Sequence, residues 1–256
     1  MNSSVLDLYN KFNEIRARGW IKTMSCDLQG VGYTFERLIG KEVDSFYLPD
    51  YHGIEIKTFE LYTRRVIHLF NVTPDGDYLY PIKRVLDTLG YPDTKEHKYK
   101  VCNIAAKGNE FTFCGYYKKM KLEIDYINQK VNFIAYRDGR DLDIGISWSF
   151  DLLKERLDLK MRKLAVIKAI SKMENGDKYF KYERIDFYKL KDFDTFLKLI
   201  EDGTITVTFK IGTYRSGKRM GQIHDRGTDF SIKYNDIEKL YDKIDITDYR
   251  KFNDDI

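Results

Sequence analysis

The stretch that decides the fold is Pro49-Asp50-Tyr51-His52-Gly53-Ile54-Glu55-Ile56-Lys57-Thr58. Its two isoleucines alternate with Glu55 and Lys57, which is the period of a β-strand with one buried face. An extended backbone buries the isoleucines and places Glu55 and Lys57 together on the opposite face. Asp50 follows a bend marked by proline and can swing towards that same face. The stretch therefore predicts two carboxylates and one ammonium group at a single point of a sheet.

Groups of these types, placed together, are the parts of a metal-dependent phosphodiester hydrolase. Asp50 and Glu55 offer oxygen ligands to a hard divalent cation. Lys57 can position a water molecule or stabilise a pentavalent phosphate. The spacing also matches the PD-(D/E)xK pattern of metal-dependent nucleases, including its literal Pro-Asp. We predict a catalytic site of Asp50, Glu55 and Lys57, in which the two carboxylates hold the metal ion.

Other interpretations of the same residues stay open on spacing alone. Acidic and basic residues also meet by chance on an exposed strand face, where an ordinary ion pair is worth roughly 0–1 kcal/mol. A glycosidase would use two carboxylates but would leave Lys57 without a role. Glu36, on the helix predicted upstream, can serve as an outer carboxylate that supports the catalytic group. A solvated helix residue explains Glu36 equally well.

Composition narrows the class of protein. With 256 residues, 43% hydrophobic and 33% charged, the chain has the length and composition of one large globular domain or two lobes. Its three cysteines, Cys26, Cys102 and Cys114, have no metal-binding spacing and indicate reduced thiols. No apolar run approaches the ~20 residues of a membrane span, and no signal peptide is evident. We expect a soluble cytoplasmic protein that does not bind membranes.

Hydrophobic periodicity predicts a mixed α and β fold in which antiparallel strands predominate. A first amphipathic helix is followed by a glycine loop at residues 30–32 and a second helix capped by Thr34. Residues 65–70 are expected to neighbour the strand at 54–58, and residues 164–170 to form a central strand. A final helix is predicted from Ile237 to Ile244.

A second group of functional residues lies far along the chain, between Lys210 and Thr228. This segment carries five basic side chains against a single acidic one, Asp225, so its excess of four equals the +4 formal charge of the whole chain. Its four glycines allow close approach to a phosphate backbone, and its cations can also contact guanine edges. A charge run is usually a solvated face. Beside a metal-carboxylate-lysine site, however, it indicates a nucleic-acid substrate.

With both stretches in view, the sequence resembles the MvaI/BcnI family of restriction endonucleases. The matching segments follow one another in order along most of the chain, and residues 71–110 match least well. They are Gly30-Val31-Gly32-Tyr33-Thr34-Phe35-Glu36, the stretch 49–58, Trp148-Ser149-Phe150-Asp151, residues 164–172, Lys178-Tyr179-Phe180-Lys181-Tyr182 and residues 211–228. A more distant similarity extends to the mismatch-repair nicking enzyme MutH, which shares the helix glutamate and the catalytic core.

The resemblance implies a restriction-endonuclease-like α+β fold with a PD-(D/E)xK core, a largely antiparallel sheet and a DNA-recognition lobe. It implies a monomer that binds duplex DNA, requires Mg²⁺ and cuts a short, G/C-rich, pseudopalindromic site. We expect a single compact two-lobed unit, with a catalytic lobe at approximately residues 1–172 and a C-terminal DNA-recognition lobe at residues 173–256. The family further implies that the carbonyl of Ile56 helps to hold the metal ion and that a cognate DNA methyltransferase protects the host genome. The residues expected to bind DNA are Lys210, Arg215, Lys218, Arg219, His224 and Arg226.

The sequence departs from the family pattern on the expected reading surface, because Thr208 and Lys210 stand where relatives carry an acidic and an arginine side chain. A lysine lacks the guanidinium fork, and a threonine cannot accept from cytosine as a carboxylate does. The catalytic triad matches fully, so cleavage is the firmer expectation and the target site the weaker one. Two alternatives stay open: a strand-nicking repair endonuclease of MutH type, and a non-catalytic DNA-binding module of the same fold.

Overall fold

The computed structural model describes residues 4–25, 30–41, 48–61, 65–76, 79–114 and 117–247. The chain forms two compact units, each built from separate chain segments. Unit 1 comprises Met1–Arg65, Leu157–Lys191 and Ile237–Ile256, and unit 2 comprises Val66–Arg156 and Asp192–Asp236. None of the helices in the described ranges is long and apolar enough to cross a lipid bilayer.

Unit 1 is built around a mixed sheet. Its helices and strands are α1 (Ser4–Ala17), β1 (Ile21–Lys22), α2 (Gly30–Leu38), β2 (Glu55–Glu60), β11 (Lys163–Glu174), β12 (Asp177–Leu190), α6 (Ile237–Leu240) and β16 (Tyr241–Ile244). The strand order is β1-β12-β11-β2, with β16 also pairing with β12, and only the β2–β11 pair is parallel among the described pairings of this sheet. A π-helical turn, Leu157–Met161, leads into β11.

The core of unit 1 fixes the orientation of β2. Ile54 and Ile56 are buried in one hydrophobic cluster with Val5, Leu8 and Phe35 from the two helices. Because side chains alternate along a strand, Glu55 and Lys57 must lie on the face of the sheet away from α1 and α2. The alternation predicted from the sequence is confirmed, and so is the central position of the strand at residues 164–170, which is β11.

The described residues of unit 2 form two antiparallel sheets. The helices and strands of the unit are β3 (Val66–Asn71), α3 (Leu79–Leu89), β4 (Tyr91–Pro92), β5 (Lys100–Ala106), β6 (Thr112–Cys114), β7 (Lys118–Asp125), β8 (Lys130–Arg137), β9 (Arg140–Asp141), β10 (Ile146–Ser149), α4 (Phe150–Arg156), α5 (Phe193–Glu201), β13 (Ile205–Thr213), β14 (Ile223–Asp225) and β15 (Asp229–Lys233). One sheet has the strand order β3-β15-β13-β5-β4, with β14 pairing with β13, and the other has the order β10-β8-β7-β6, with β9 pairing with β8. Trp148 is fully buried, contacts Phe209 and Phe230, and donates its indole N–H to the Val72 carbonyl at 3.2 Å.

Several local predictions differ from the structure. Gly30 and Gly32 lie in the first turn of α2 and not in a loop. A Cβ at Gly30 would come 2.9 Å from the Thr23 hydroxyl, so glycine is needed there for close packing. Thr34 does not cap the helix, because its buried hydroxyl accepts the Met24 N–H at 3.0 Å.

Two strands also pair differently from prediction. Residues 65–70 do not neighbour β2; β3 pairs with β15 in unit 2, and β2 takes β11 as its parallel partner. The last helix ends at Leu240, and residues 241–244 form β16 against β12. The hydroxyl of buried Tyr241 donates to the Met161 carbonyl at 3.1 Å, a tertiary contact that helical periodicity cannot reveal.

The division into units falls elsewhere than the predicted boundary between residues 172 and 173. That position lies inside a long antiparallel hairpin in which β11 and β12 pair from Lys163↔Lys189 to Glu174↔Asp177. Separating the chain there would break these backbone hydrogen bonds. Unit 2 instead combines residues 66–156 with residues 192–236. Because each unit consists of segments that are not contiguous in the sequence, no single boundary along the chain can separate the two units.

Candidate active site and nucleic-acid interface

A tight turn directs Asp50 towards the start of β2. Tyr51 and Ile54 exchange two backbone hydrogen bonds, at 2.9 and 2.8 Å, across His52 and Gly53. Both central residues have positive φ, 44° and 84°, which is the signature of a two-residue hairpin turn. The reversal lets the Asp50 carboxylate accept the Ile56 N–H at 2.9 Å. Asp50 is thereby fixed beside the strand that carries Glu55 and Lys57.

Glu55 is a buried carboxylate with one oxygen engaged. It is 1% exposed, and its Oε1 accepts from Lys57 Nζ at 2.6 Å and lies 3.5 Å from Lys160 Nζ. Its Oε2 is buried and has no hydrogen-bonding partner among the described residues. Burial raises the pKa of Glu55, the Lys57 ammonium opposes that rise, and the Asp50 charge adds to it. An unsatisfied buried carboxylate oxygen is the feature that a bound cation would satisfy.

Glu36 belongs to the same electrostatic cluster. Its Oε2 lies 3.7 Å from Lys41 Nζ, and that ammonium also contacts Asp50 Oδ1. Burial raises the pKa of Glu36, Lys41 opposes the rise, and the charge of Asp50 adds to it. The structure therefore brings Glu36 near Asp50, as the predicted supporting role requires.

Two lysines of this cluster, Lys41 and Lys160, were not predicted from the sequence. Lys41 follows α2, and Lys160 lies in the π-helical turn about a hundred residues after Glu55. Neither lysine carries a motif that could have identified it. The turn is held by the contact of the Met161 carbonyl with Tyr241, and it brings an ammonium group to the buried carboxylate. Irregular π-helical turns are frequent at functional sites.

The residues present fit a hard divalent cation. Asp50 and Glu55 supply hard oxygen ligands of the type that Mg²⁺ prefers, and Glu55 Oε2 is unsatisfied. No group of three or more His, Cys, Asp or Glu side chains with metal-binding geometry occurs within the described ranges. A site of two carboxylates, which a backbone carbonyl and solvent would complete, agrees with that observation.

The predicted DNA-binding residues lie in unit 2, on and around a β-hairpin. β13 and β14 pair from Ile211↔Asp225 to Thr213↔Ile223, so much of the predicted basic loop is a hairpin and its tip. Within this hairpin the rings of Tyr214 and His224 stack, with their centroids 4.3 Å apart. Arg219 Cζ lies 5.8 Å from the centroid of the Tyr214 ring. Lys218 and Arg226 are exposed.

One face of the β13 sheet is polar, whereas the other is buried. Along β13, residues 205, 207, 209 and 211 are buried and the residues between them are partly exposed. We call the second side the polar sheet face; it carries Thr206, Thr208 and Lys210 of β13, His224 of β14, Asn103 and Ala105 of β5, His68 of β3 and Asp229 of β15. Lys210 and His224 therefore share one face.

A buried carboxylate holds Lys210 in place. Asp229 is 2% exposed, and its Oδ2 accepts from Lys210 Nζ at 3.1 Å and bonds His68 Nδ1 at 2.6 Å. Asp229 is the register partner of Thr208, the position at which the sequence lacks an acidic side chain. The Asp229 carboxylate therefore lies beside Thr208, on the neighbouring strand β15.

Arg215 makes an ion pair within unit 2. Its Nε and Nη2 donate to Asp93 Oδ2 at 2.6 and 2.5 Å, and the Asp93 side chain is 2% exposed. The Lys95 N–H and, after it, the Arg215 guanidinium hold the pKa of Asp93 below its usual range. Arg215 thus fastens the hairpin to the segment after β4. Its predicted contact with DNA would have to coexist with this pairing.

Arg215→Gln is expected to lower the melting temperature, because the Asp93 carboxylate would lose both guanidinium bonds. A carboxylate with a lowered folded-state pKa contributes stability above its ordinary pKa, about 4, and that contribution is lost as the pH falls. The difference in melting temperature between the Arg215→Gln variant and the parent protein should be largest near neutrality and shrink below about pH 4. Thermal melts across pH measure it. Lys218→Gln, at an exposed position of the same hairpin, is the control and should leave the melting temperature unchanged; equal losses for both variants would contradict the anchoring role.

The fold and the cluster together define a restriction-endonuclease-like protein of mixed α and β structure. A sequence profile of the MvaI/BcnI restriction endonuclease family matches residues 9–241. The chain belongs to this family, which confirms the resemblance drawn from its motifs.

Solved structures agree with this assignment. The chain is 31% identical to the restriction endonuclease MvaI in complex with its cognate DNA substrate, with a TM-score of 0.83, covering 95% of this chain and 98% of the other. Against MvaI in the absence of DNA, the identity and coverage are the same and the TM-score is 0.63. The search of curated proteins found no match. The predicted fold class is confirmed.

Proposed function

We propose that this family member is a type II restriction endonuclease that hydrolyses duplex DNA with Mg²⁺ at a short, G/C-rich, pseudopalindromic site. The observation that carries the proposal is the convergence of Asp50, Glu55 and Lys57 beside a buried, unsatisfied carboxylate oxygen. A purely structural ion pair between Lys57 and Glu55 would leave the buried Glu55 Oε2 unsatisfied, whereas a bound cation would satisfy it. The similarity to MvaI bound to DNA supports duplex DNA as the substrate.

Each residue of the site would have a distinct task. Asp50 and Glu55 would hold Mg²⁺, helped by the carbonyl of Ile56, and Glu36 would support them from α2. When bound, Mg²⁺ supplies a Lewis acid that offsets negative charge on the reacting phosphate. Burial of Glu55 excludes water from one side of the site and strengthens the electrostatic interactions within it.

Lys57 would act on the attacking water and on the transition state. Its side chain is 25% exposed, so Nζ reaches solvent while it donates to Glu55. From there Lys57 would orient water for in-line attack at phosphorus, accept its proton as the neutral amine and, as the ammonium group so formed, stabilise the charge of the pentavalent phosphate. The bond between phosphorus and the 3′ oxygen would break, the 3′ oxygen would take up a proton from solvent, and a 5′-phosphate would remain.

The two units divide the work in this proposal: unit 1 cleaves and unit 2 recognises. The bases and phosphates would be contacted by six side chains of unit 2: Lys210, Arg215, Lys218, Arg219, His224 and Arg226. The exposed cations among these residues would set the salt dependence of binding. The protein would act in the cytoplasm as a monomer that cuts one strand and then the other. A cognate methyltransferase would protect the host genome.

Digestion of supercoiled plasmid by the purified protein tests the proposal. Linear product with discrete ends in Mg²⁺, and no product in EDTA, is expected, and sequencing of the ends gives both site and cut position. Nicked circles that persist would favour a MutH-type nicking enzyme instead. Retention of DNA on a gel without cleavage in any divalent cation would indicate a binding module.

A further inference from the structure

Asn103 lies on the polar sheet face, on β5, the strand next to β13. Along β5 its neighbours Cys102 and Ile104 are buried, whereas Asn103 is exposed. It is the direct register partner of Lys210 on β13. Side chains that face each other across an antiparallel pair have Cβ atoms about 5 Å apart and point to the same side. Asn103 and Lys210 therefore project together from the sheet.

The local chemistry favours a ligand for Asn103. Asparagine is depleted in strands, so its place within β5 runs against backbone preference, as functional residues often do. Within the described parts of the chain its amide makes no hydrogen bond. The next register pair on the same face is Thr208↔Ala105, two residues with short side chains. Beside it, buried Asp229 fixes the position of the Lys210 ammonium.

We propose that Asn103 is a specificity-determining residue that reads an adenine edge in the DNA major groove, next to the base contacted by Lys210. The inference rests on the proposed function and deepens it. An asparagine amide can donate to adenine N7 and accept from its N6 amino group, a bidentate match that the other three bases do not offer. Lysine donates to the acceptors of guanine. Stacked bases are about 3.4 Å apart along a strand. Because the Cβ atoms of Asn103 and Lys210 are about 5 Å apart and point to the same side, the Asn103 amide and the Lys210 ammonium, which Asp229 holds on the β15 side, can serve neighbouring base pairs.

Cleavage of a library in which each base pair of the site is varied tests the inference. The Asn103→Ala protein should cut the preferred sequence roughly 10- to 100-fold more slowly and lose its preference for adenine at one position. Discrimination at the other positions and the melting temperature should stay the same. Replacing that adenine by 7-deazaadenine, which lacks N7, should slow the parent protein but not the variant. A merely structural role would slow every substrate equally and would not respond to the analogue.

Asn132→Ala is the matched control, because Asn132 lies within β8 of the other sheet of unit 2. It should leave base preference unchanged. If the parent protein cuts a discrete site while Asn103→Ala discriminates as sharply at every position, Asn103 reads no base and the proposed function stands. A parent protein that requires no adenine on either strand overturns the adenine assignment. If the parent protein cuts no DNA in any divalent cation, the proposed function itself fails.

Discussion

Lys57→Ala should reduce Mg²⁺-dependent cleavage of plasmid by about 1,000-fold or more. Loss of a general acid-base group costs roughly 10²- to 10⁴-fold, and loss of one donor to a developing anion costs about 10²- to 10³-fold. Lys57 would serve both purposes. Binding of duplex DNA, measured by fluorescence anisotropy without a divalent cation, should change little, because a single ammonium group is a small part of the basic surface. The Lys57→Ala protein should therefore bind duplex DNA about as well as the parent protein while cleaving it far more slowly.

Lys22→Ala is the control for this experiment. Lys22 lies on β1 of the same unit, its side chain is 57% exposed, and it pairs with Asp177 at 2.6 Å. Its loss should leave cleavage unchanged. Thermal melts of both variants would show that the folded fraction is comparable. Digestion at the native rate by the Lys57→Ala protein would rule out Lys57 as a catalytic residue.

Glu55→Gln should abolish both cleavage and the response of the folded protein to divalent cations. A ligand that binds only the folded state at ten times its Kd raises the free energy of unfolding by about 1.4 kcal/mol. Mg²⁺ or Mn²⁺ should therefore raise the melting temperature of the parent protein. Glutamine has nearly the same shape but lacks the charge that a hard cation requires. The variant should melt at the same temperature with and without the cation.

Glu60→Gln provides a matched control on the same strand. Glu60 lies at the end of β2, where it accepts from Lys178 Nζ at 2.6 Å, and is outside the proposed metal site. The Glu60→Gln protein should keep the cation-induced shift and the cleavage of the parent. Asp50→Asn should behave like Glu55→Gln. An unaltered cation response in the Glu55→Gln protein would show that Glu55 holds no metal ion.

Much of the local structure was predictable because it depends on side-chain periodicity. The alternation at residues 54–57 places the isoleucines in the core and the charged pair on the other face, as observed. The continuous apolar run at residues 164–170 likewise predicts a central strand, which is β11. Predictions were wrong where a distant contact determines the backbone, as at Gly30, which packs beneath Thr23, and at residues 241–244, which pair with β12.

The roles of several basic residues were also beyond the sequence. A charge run identifies cations but cannot show which of them have an acidic partner. Arg215 bonds to Asp93 and Lys210 to Asp229, partners that lie 122 and 19 residues away along the chain. Lys160 carries no motif, yet it reaches Glu55. Long-range pairing determines which charges remain exposed to a ligand.

The sequence by itself determined the chemical groups of the site and the strand that carries them, because period-two alternation and a tight turn act over a few residues. It also determined the family, through motifs that occur in order. Only the tertiary structure decided the burial of Glu55, since the strands and the π-helical turn that enclose it come from segments about a hundred residues apart. The tertiary structure likewise paired Asn103 with Lys210, because strand register joins residues that no local pattern can relate.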